Sequence, residues 1–242
     1  MRSRLIMTVT TVLTAMGALA GPVAAREVRL ALDPQLAESA SEVPVKGANP
    51  RRWGADLSFG DYRAVGVRDG DHLEWFFAVG NFGTGAAKSA SRLTLEGPSG
   101  AIRVECLAKR SVLARGSFSI DLALGRKPLL MCGLEGPEED RWTLVLTERA
   151  PNLTGAIQPA DGIAGERLDV RSVHRLEGSK WPLAEPAGYE ISKSGRVVAA
   201  VETINRGRVW IASDLDADTR LRVAAAAAAL LLFEPPEVES EP

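Results

Sequence analysis

A histidine among carboxylates is the first feature of this 242-residue chain that could do chemistry. His72 follows Asp71 directly, Glu74 comes two residues later, and Asp61 lies upstream. An imidazole that a carboxylate orients can act as a general base, so His72 with Asp71 or Asp61 is a candidate catalytic site. The adjacent Gly70 indicates a turn, however, and a polar residue beside a turn is more often simply exposed. We favour the exposed residue and keep the enzyme as the alternative.

Three alternating aspartates form a pattern that could bind calcium. Asp214, Asp216 and Asp218 have the spacing of carboxylate ligands in a calcium loop. Such a loop continues with a glycine and ends with a glutamate at its twelfth position, where this chain has Thr219 and Ala225. Aspartates at the start of a helix also accept hydrogen bonds from its free N–H groups and favour its dipole. We expect helix capping, no metal and no cofactor.

Other motifs of catalysis and phosphate binding are missing from the sequence. The second histidine, His174, is far from His72, and neither belongs to an HExxH pattern. No GxSxG elbow is present. The glycine-rich stretch 80–85 contains no lysine that could contact a phosphate and is predicted to be a loop. A net charge of -2 and a pI near 5.9 argue against a nucleic-acid partner.

The only two cysteines, Cys106 and Cys132, lie in strand-like segments. Alternation in 101–106 places Cys106 on the same face as Ile102 and Val104. Two inward-facing cysteines in an oxidising compartment predict a disulfide. Two free buried thiols are the alternative if the chain is not exported.

The N-terminus has the pattern of an export signal. Arg2 and Arg4 precede an apolar run that ends in small residues, so residues 1–25 are predicted to be a signal peptide cleaved after Ala25. An uncleaved membrane anchor is the alternative. Residues 26–233 are predicted to form a single β-rich domain and residues 234–242 an acidic, disordered tail. The expected location is a bacterial periplasm or the extracellular space.

The body of the chain is predicted to be a succession of β-strands and turns. A first strand is expected at 26–32 and a turn-rich connector at 37–52. Two hairpins follow, one joining 62–67 to 73–79 and the other joining 93–95 to 102–106. Further strands are expected at the segments 118–124, 129–134, 142–146, 167–176 and 209–211, and a last hairpin at 189–192 and 197–201. The stretches 151–165 and 181–188 are predicted to be irregular.

A strongly apolar helix is predicted near the C-terminus. Val223 is followed by six alanines, three leucines and Phe233, and Pro235 cannot continue a helix. Ser213 lies three residues before Asp216, which resembles the spacing of a capping box. A helix that is apolar on every face must be buried on every face, and this one is too short to span a bilayer. The predicted fold class is therefore mainly β (α+β), a closed or nearly closed antiparallel barrel around the helix.

The C-terminal quarter resembles a known family. The hairpin 189–201, a strand with Trp210, the aspartate-rich cap and the alanine–leucine helix are similar to the end of Tubby-like barrels. That superfamily includes the LURP-one-related and scramblase-like proteins. The resemblance implies a closed antiparallel barrel threaded by an apolar C-terminal helix, and it implies no functional residues. The same ending also resembles that of uncharacterised exported proteobacterial proteins.

These observations favour a non-catalytic, envelope-associated binding module. Its expected partner is an envelope lipid, a polymer or a protein. An enzyme of unrecognised class that uses His72 is the alternative. A third hypothesis is a structural protein that shares its apolar helix with a partner and therefore folds in a concentration-dependent way.

Overall fold

The computed structural model describes residues 27–47, 56–69, 73–79, 82–115, 118–121, 128–137, 140–149, 151–161 and 166–234. Within these ranges the chain forms fourteen strands and two helices. The first half contains α1 (Pro34–Ser39), β1 (Ala40–Pro44), β2 (Leu57–Phe59), β3 (Tyr62–Asp69), β4 (Leu73–Val79), β5 (Phe82–Gly97), β6 (Gly100–Arg115) and β7 (Phe118–Asp121). The second half contains β8 (Pro128–Glu135), β9 (Arg141–Arg149), β10 (Asn152–Pro159), β11 (Leu168–Val173), β12 (Gly188–Lys193), β13 (Arg196–Glu202), β14 (Arg208–Ala212) and α2 (Ala217–Leu231).

Twelve of the strands form a nearly closed antiparallel barrel. Their order is β1-β14-β13-β12-β11-β10-β9-β8-β6-β5-β3-β2. The two ends of this path meet at one bridge, in which Lys46 and Ser58 exchange N–H···O bonds of 2.8 and 2.9 Å. Side chains along a strand alternate between the interior and the outer face, as residues 101–108 of β6 do. The predicted barrel is confirmed.

Helix α2 occupies the barrel. Every residue from Val223 to Leu230 is at most 4% exposed, so all faces of two helical turns are covered. The helix packs against β5, β6 and β8 on one side and against β13 and β14 on another. Because alanine adds only a methyl group, strands can approach such a helix closely. Among the described residues no helix combines the length and the apolarity of a membrane span.

The start of α2 corrects the predicted cap. Asp216 is the N-cap, and its carboxylate accepts the Thr219 N–H at 2.8 Å. Ser213 lies before the helix, and its hydroxyl donates to the Ser39 carbonyl. The helix ends at Leu231, close to the predicted stop near Phe233.

Several predicted strands and connectors are wrong. In place of a first strand at 26–32, the described residues 27–32 form only one bridge, from Leu30 to Leu176. The expected connector at 37–52 contains part of α1 and all of β1. The expected irregular stretch 151–165 contains β10, and residues 82–85 of the expected glycine-rich loop begin β5. Strands β3 and β4 do not form a hairpin, because both pair with β5.

Strands β5 and β6 are longer than the barrel needs. Their turn at 97–100 lies beside the N-terminus of α2, where the Ser99 hydroxyl donates to the Ala217 carbonyl. At the other end of the barrel, residues 82–88 of β5 pair with β4, and residues 112–115 of β6 pair with β7. We name this four-stranded extension, formed by β4, residues 82–88, residues 109–115 and β7, the arm.

Candidate functional site

The predicted catalytic pair, His72 and Asp71, lies outside the described residues. Both fall in 70–72, between β3 and β4. The third candidate, Asp61, is exposed in the turn between β2 and β3. The hypothesis of a general base at His72 therefore stays a prediction.

Two of the three aspartates at the start of α2, Asp214 and Asp216, are engaged with other groups of the protein. Asp216 caps the helix, and the Thr219 N–H that donates to it holds the pKa of Asp216 below its usual value. Asp214 pairs with Arg196 at 2.9 Å, and that hydrogen bond lowers the pKa of Asp214. Asp218 is exposed in the first turn. Within the described part of the chain, no three His, Cys, Asp or Glu side chains are grouped to hold a metal.

The two cysteines form the predicted disulfide. Cys106 of β6 and Cys132 of β8 are direct cross-strand partners with their Cα atoms 4.0 Å apart and their sulfurs at bonding distance. Both side chains face the interior and are buried. The bond joins β6 to β8 just before β6 enters the arm, so it fixes the root of the arm.

A serine–histidine pair lies inside the barrel wall. The hydroxyl oxygen of Ser172 is 3.0 Å from Nε2 of His174, and Nδ1 of His174 is 3.1 Å from the Leu183 carbonyl. Because a carbonyl only accepts, Nδ1 carries a proton, and in the neutral imidazole the Ser172 hydroxyl therefore donates to Nε2. The serine oxygen also accepts the Leu153 N–H at 2.9 Å.

A serine and a histidine in hydrogen-bond contact could serve as a nucleophile and its general base. The contacts of this pair are instead those of a structural hydrogen-bond link. Both side chains are more than nine-tenths buried. Their polar atoms are occupied by main-chain groups of β10 and of the loop between β11 and β12. Attack on a substrate needs a serine oxygen that a substrate can reach. The geometry therefore supports anchoring of the 174–187 loop rather than catalysis.

An ion-pair network centred on the buried Glu202 and Arg208 closes the barrel end at which α2 finishes. Glu202 is completely buried and accepts the Leu30 N–H at 2.8 Å as well as a hydrogen bond from Arg208. Arg208 also pairs with Glu27 at 2.5 Å and with Glu42 at 3.0 Å. Burial lowers the pKa of Arg208, but Glu202 and Glu27 raise it more strongly, so the net pKa lies above its ordinary value. The network fixes the segment that begins at residue 27.

Sequence reasoning did not find this network. Glu202 ends β13 and Arg208 begins β14, so a hairpin places them opposite each other. A glutamate and an arginine lie on either side of a short loop that joins two apolar strands. This sequence pattern could have indicated the Glu202–Arg208 pair. Glu27 and Glu42 reach Arg208 only through long-range packing, so no local sequence pattern indicates that they belong to the network.

Exposed apolar side chains are concentrated at the same end of the barrel, which we name the arm end. Three of them belong to segments that meet there: Val28, Trp181 at 81% exposure, and Leu183. The other two, Leu107 and Met131, are direct cross-strand partners at the root of the arm and are 47% and 48% exposed. They complete the set of exposed large apolar side chains in the described part of the chain.

Two pairs of like charges lie on the outer face on either side of Leu107. Lys88 of β5 is directly opposite Lys109 of β6, and Arg68 of β3 is directly opposite Arg92 of β5. None of these four cations forms an ion pair within the residues that the structure describes. Arg92 does have Glu105 opposite it on β6, whereas Lys88 and Lys109 have no such neighbour in the register. Like charges in direct cross-strand register are destabilising.

Comparison with known proteins gives no family for this chain. No protein-family model, no curated protein and no solved structure matches it. The arm end, with its exposed apolar groups and its opposed cations, is the candidate functional site because its exposed side chains have the least explanation within the fold.

Proposed function

We propose that this protein is an exported, non-catalytic binding module that associates with a component of the bacterial envelope through the arm end of its barrel. The observation that carries the proposal is the placement of the exposed large apolar side chains at the arm end and at the arm root. Adjacent exposed apolar side chains, such as the cross-strand pair Leu107 and Met131, are typical of interaction surfaces.

The filled interior supports an external binding surface. Since α2 is covered on every face by the barrel, it takes up the space in which other barrels hold a ligand. The same enclosure removes the reason for the third hypothesis, in which α2 would be shared with a partner. A contact made by the outer surface needs neither an internal cavity nor a catalytic residue.

Export is supported by the leader and by the disulfide. The pattern of residues 1–25 is that of a signal peptide, and disulfides persist in oxidising compartments. The fold is also the architecture that the resemblance to Tubby-like barrels implies, and membership of that superfamily remains a hypothesis. Glu27, which is the first described residue, lies at the arm end, because it pairs with Arg208 there.

Cell fractionation tests the proposal. The full chain would be expressed with its leader in a Gram-negative bacterium, and soluble periplasm would be separated from membranes. We expect a mature chain that begins at Arg26 and sediments with the envelope. The variant Trp181→Ser/Leu183→Ser should move toward the soluble fraction. The control Ala101→Ser/Pro137→Ser changes two exposed apolar residues at the opposite end and should not.

Two outcomes would overturn the proposal. One is retention of the wild-type chain in the cytoplasm. The other is equal partitioning of wild type, arm-end variant and control. The enzyme alternative predicts that hydrolase or transferase screens detect turnover and that His72→Ala abolishes this turnover. No contact among the described residues favours the enzyme alternative.

A further inference from the structure

We propose that the loop between β11 and β12 inserts its tip, residues 181–184, into the interfacial region of a lipid bilayer. This inference rests on the proposed function, since it takes the arm end to be a binding surface, and it names the partner. Its basis is the juxtaposition of four consecutive exposed apolar residues with a loop backbone whose N–H groups are already paired within the protein.

The tip is an uninterrupted apolar run at the surface. Trp181, Pro182, Leu183 and Ala184 are all exposed, and no polar side chain lies between them. Trp181, at 81%, is the most exposed large apolar side chain in the described part of the chain. The loop leaves β11 and enters β12 at the arm end, so the tip belongs to the surface that we assign to binding. An exposed apolar run of this length in a folded protein indicates a function.

The main chain of the tip is largely paired within the loop itself. The Ser179 hydroxyl accepts the Trp181 N–H at 3.2 Å and donates to the Trp181 carbonyl at 2.8 Å. Pro182 has no N–H, and the Leu183 N–H donates to the His174 carbonyl at 2.7 Å. The Leu183 carbonyl accepts a hydrogen bond from Nδ1 of His174 at 3.1 Å. The first three residues of the tip therefore have no free main-chain N–H, and two of their carbonyls are paired.

The support of the tip continues into the barrel wall. The Ser172 hydroxyl, which donates to Nε2 of His174, also accepts a main-chain N–H of β10. The Ser179 N–H donates to the Leu176 carbonyl at 3.0 Å, and Leu176 forms the bridge to Leu30. Both residues that pair the backbone of the tip are thus fixed by other segments. A loop that is ordered in advance loses little conformational entropy when it binds.

The paired backbone favours a bilayer over other envelope partners. Lipid hydrocarbon offers no hydrogen-bond partner, so an irregular loop enters it at low cost only when its main-chain groups are satisfied internally. A polysaccharide presents mainly hydroxyl groups, which need hydrogen-bond partners when they are removed from water. A protein interface carries about one hydrogen bond per 100–200 Å². The tip has exposed apolar side chains but few free polar groups, which is the combination that a bilayer accepts.

The charges beside the tip favour the interfacial region without selecting a headgroup. Lys180 precedes Trp181, Glu185 follows Ala184, and both charged residues are exposed. A lysine can keep its ammonium group among the headgroups while its stem lies along apolar surface. The indole ring of tryptophan is amphipathic in the same way and is enriched at this depth of membranes. Because the two flanking charges are opposite, we expect binding to depend little on anionic lipid or on salt.

Vesicle flotation and tryptophan fluorescence test this inference with the mature protein purified from cells. The probe is a phosphatidylcholine vesicle with brominated acyl chains, because bromine quenches an indole only at short range. We expect the wild type to float with the vesicles and to be quenched. Trp181→Ser should lower the partition coefficient by about 10-fold or more, because a large exposed apolar surface no longer leaves water. Trp181→Phe should still float but be quenched less, since Trp142 and Trp210 are buried.

Ser179→Ala tests the role of the paired backbone. The substitution leaves both main-chain groups of Trp181 without the serine hydroxyl and removes no apolar surface, so the partition coefficient should fall by about 10-fold. Ser179→Thr keeps a hydroxyl and should retain binding. The matched control Ser99→Ala removes a serine hydroxyl that donates to a main-chain carbonyl at the opposite end of the barrel, and it should change binding less than about twofold. Urea midpoints measured on the same variants separate a loss of binding from a loss of fold.

Each result decides the inference. It would be overturned by absence of binding to phosphatidylcholine vesicles, by equal quenching of wild type and Trp181→Phe, or by equal binding of Ser179→Ala and Ser99→Ala. Binding that requires phosphatidylglycerol and disappears in high salt would also overturn it, because charge rather than the tip would then drive association.

The cell experiment distinguishes this inference from the proposed function. If Trp181→Ser/Leu183→Ser leaves the envelope fraction while the purified wild type does not bind vesicles, the proposed function stands and only the lipid partner is wrong. If the wild type associates with neither the envelope nor the vesicles, the proposed function itself fails.

Discussion

Removal of Arg208 should destabilise the fold more than any exposed charge does. In Arg208→Met the apolar stem is kept and the guanidinium is lost. Glu202, which is 0% exposed, would then retain only the Leu30 N–H as a described partner. Breaking a buried ion pair from one side typically costs about 3–5 kcal/mol, because the remaining charge stays uncompensated.

A double substitution separates the buried charge from the lost packing. In Glu202→Gln/Arg208→Met no charge remains buried, and the amide oxygen of the introduced glutamine can still accept the Leu30 N–H. The NH2 group of the glutamine is left without a described partner, which costs about 1–3 kcal/mol. Glu202→Gln alone should cost about 2–3 kcal/mol, because a charge-assisted hydrogen bond is lost. The double variant should therefore be at least about 2 kcal/mol more stable than the sum of the single variants predicts.

Urea unfolding at pH 7, followed by tryptophan fluorescence, measures these free energies. Arg29→Met is the matched control, since the Arg29–Glu42 pair is exposed at the surface and should contribute less than about 1 kcal/mol. Amide hydrogen exchange provides a local readout. Protection of the Leu30 N–H, which depends on the Glu202 carboxylate, should fall in Glu202→Gln.

The reasoning would be refuted by a loss below about 1 kcal/mol in Arg208→Met, since a buried carboxylate without its cation cannot be that well tolerated. Additive single and double variants would also refute it. Such a result would mean that water reaches Glu202 and that the network does not hold the segment at residue 27.

Three further predictions concern single features of the fold. Reduction of the Cys106–Cys132 disulfide, which spans 26 residues, should lower the free energy of unfolding by about 3.5 kcal/mol in urea titrations with and without reductant; equal midpoints would exclude the bond. Asp216→Ala should cost about 1 kcal/mol of stability at pH 7. Because the pKa of Asp216 is lowered in the folded state, its contribution exists at neutral pH and disappears as the pH falls below about 4, so wild type and variant should converge there; a constant difference would exclude the cap. Gly155→Ala should cost at least about 2 kcal/mol by thermal unfolding, because its Cβ would lie 1.7 Å from a backbone oxygen of β9. Gly133→Ala, where a Cβ meets nothing within 4 Å, is the control.

Local residue chemistry was sufficient to predict α2 and the hairpins with short turns. The alanine and leucine run specifies a helix buried on all sides, and a buried helix among strands requires that they surround it. The hairpins at 97–100 and 194–195 have turn residues between alternating strands, and both form. In each case the information lies within about fifteen residues of sequence.

Helix α1 and strand β10 are two elements whose sequence patterns did not lead to a correct prediction. Asp33 before Pro34 is an N-cap followed by proline at the first helical position, a start signal for α1 that was overlooked. Strand β10 begins after Pro151 and contains Gly155, which made it look like a loop. Gly155 is required there because the neighbouring strand passes too close for a side chain.

The arm end could not be predicted from sequence because it depends on long-range register. That β4 pairs with β5 instead of β3 follows from the extra length of β5, which no local turn signal reports. Lys88 and Lys109 are far apart in sequence and become neighbours only in the β5–β6 register. Arg208 meets Glu27 across most of the length of the chain.

The disulfide and the Arg208 network both lie beside exposed apolar side chains. The disulfide fixes the root of the arm, one residue from Leu107 and Met131, and the Arg208 network fixes residues 27–30 beside the exposed Val28. Apolar side chains at a surface tend to fold back against the protein, because burial there removes them from water. A covalent bond and a buried ion network oppose such movement, since both tie the underlying backbone to the barrel. Rigid support beneath an apolar surface reduces the entropy lost when the surface binds, which is the property that a docking surface requires.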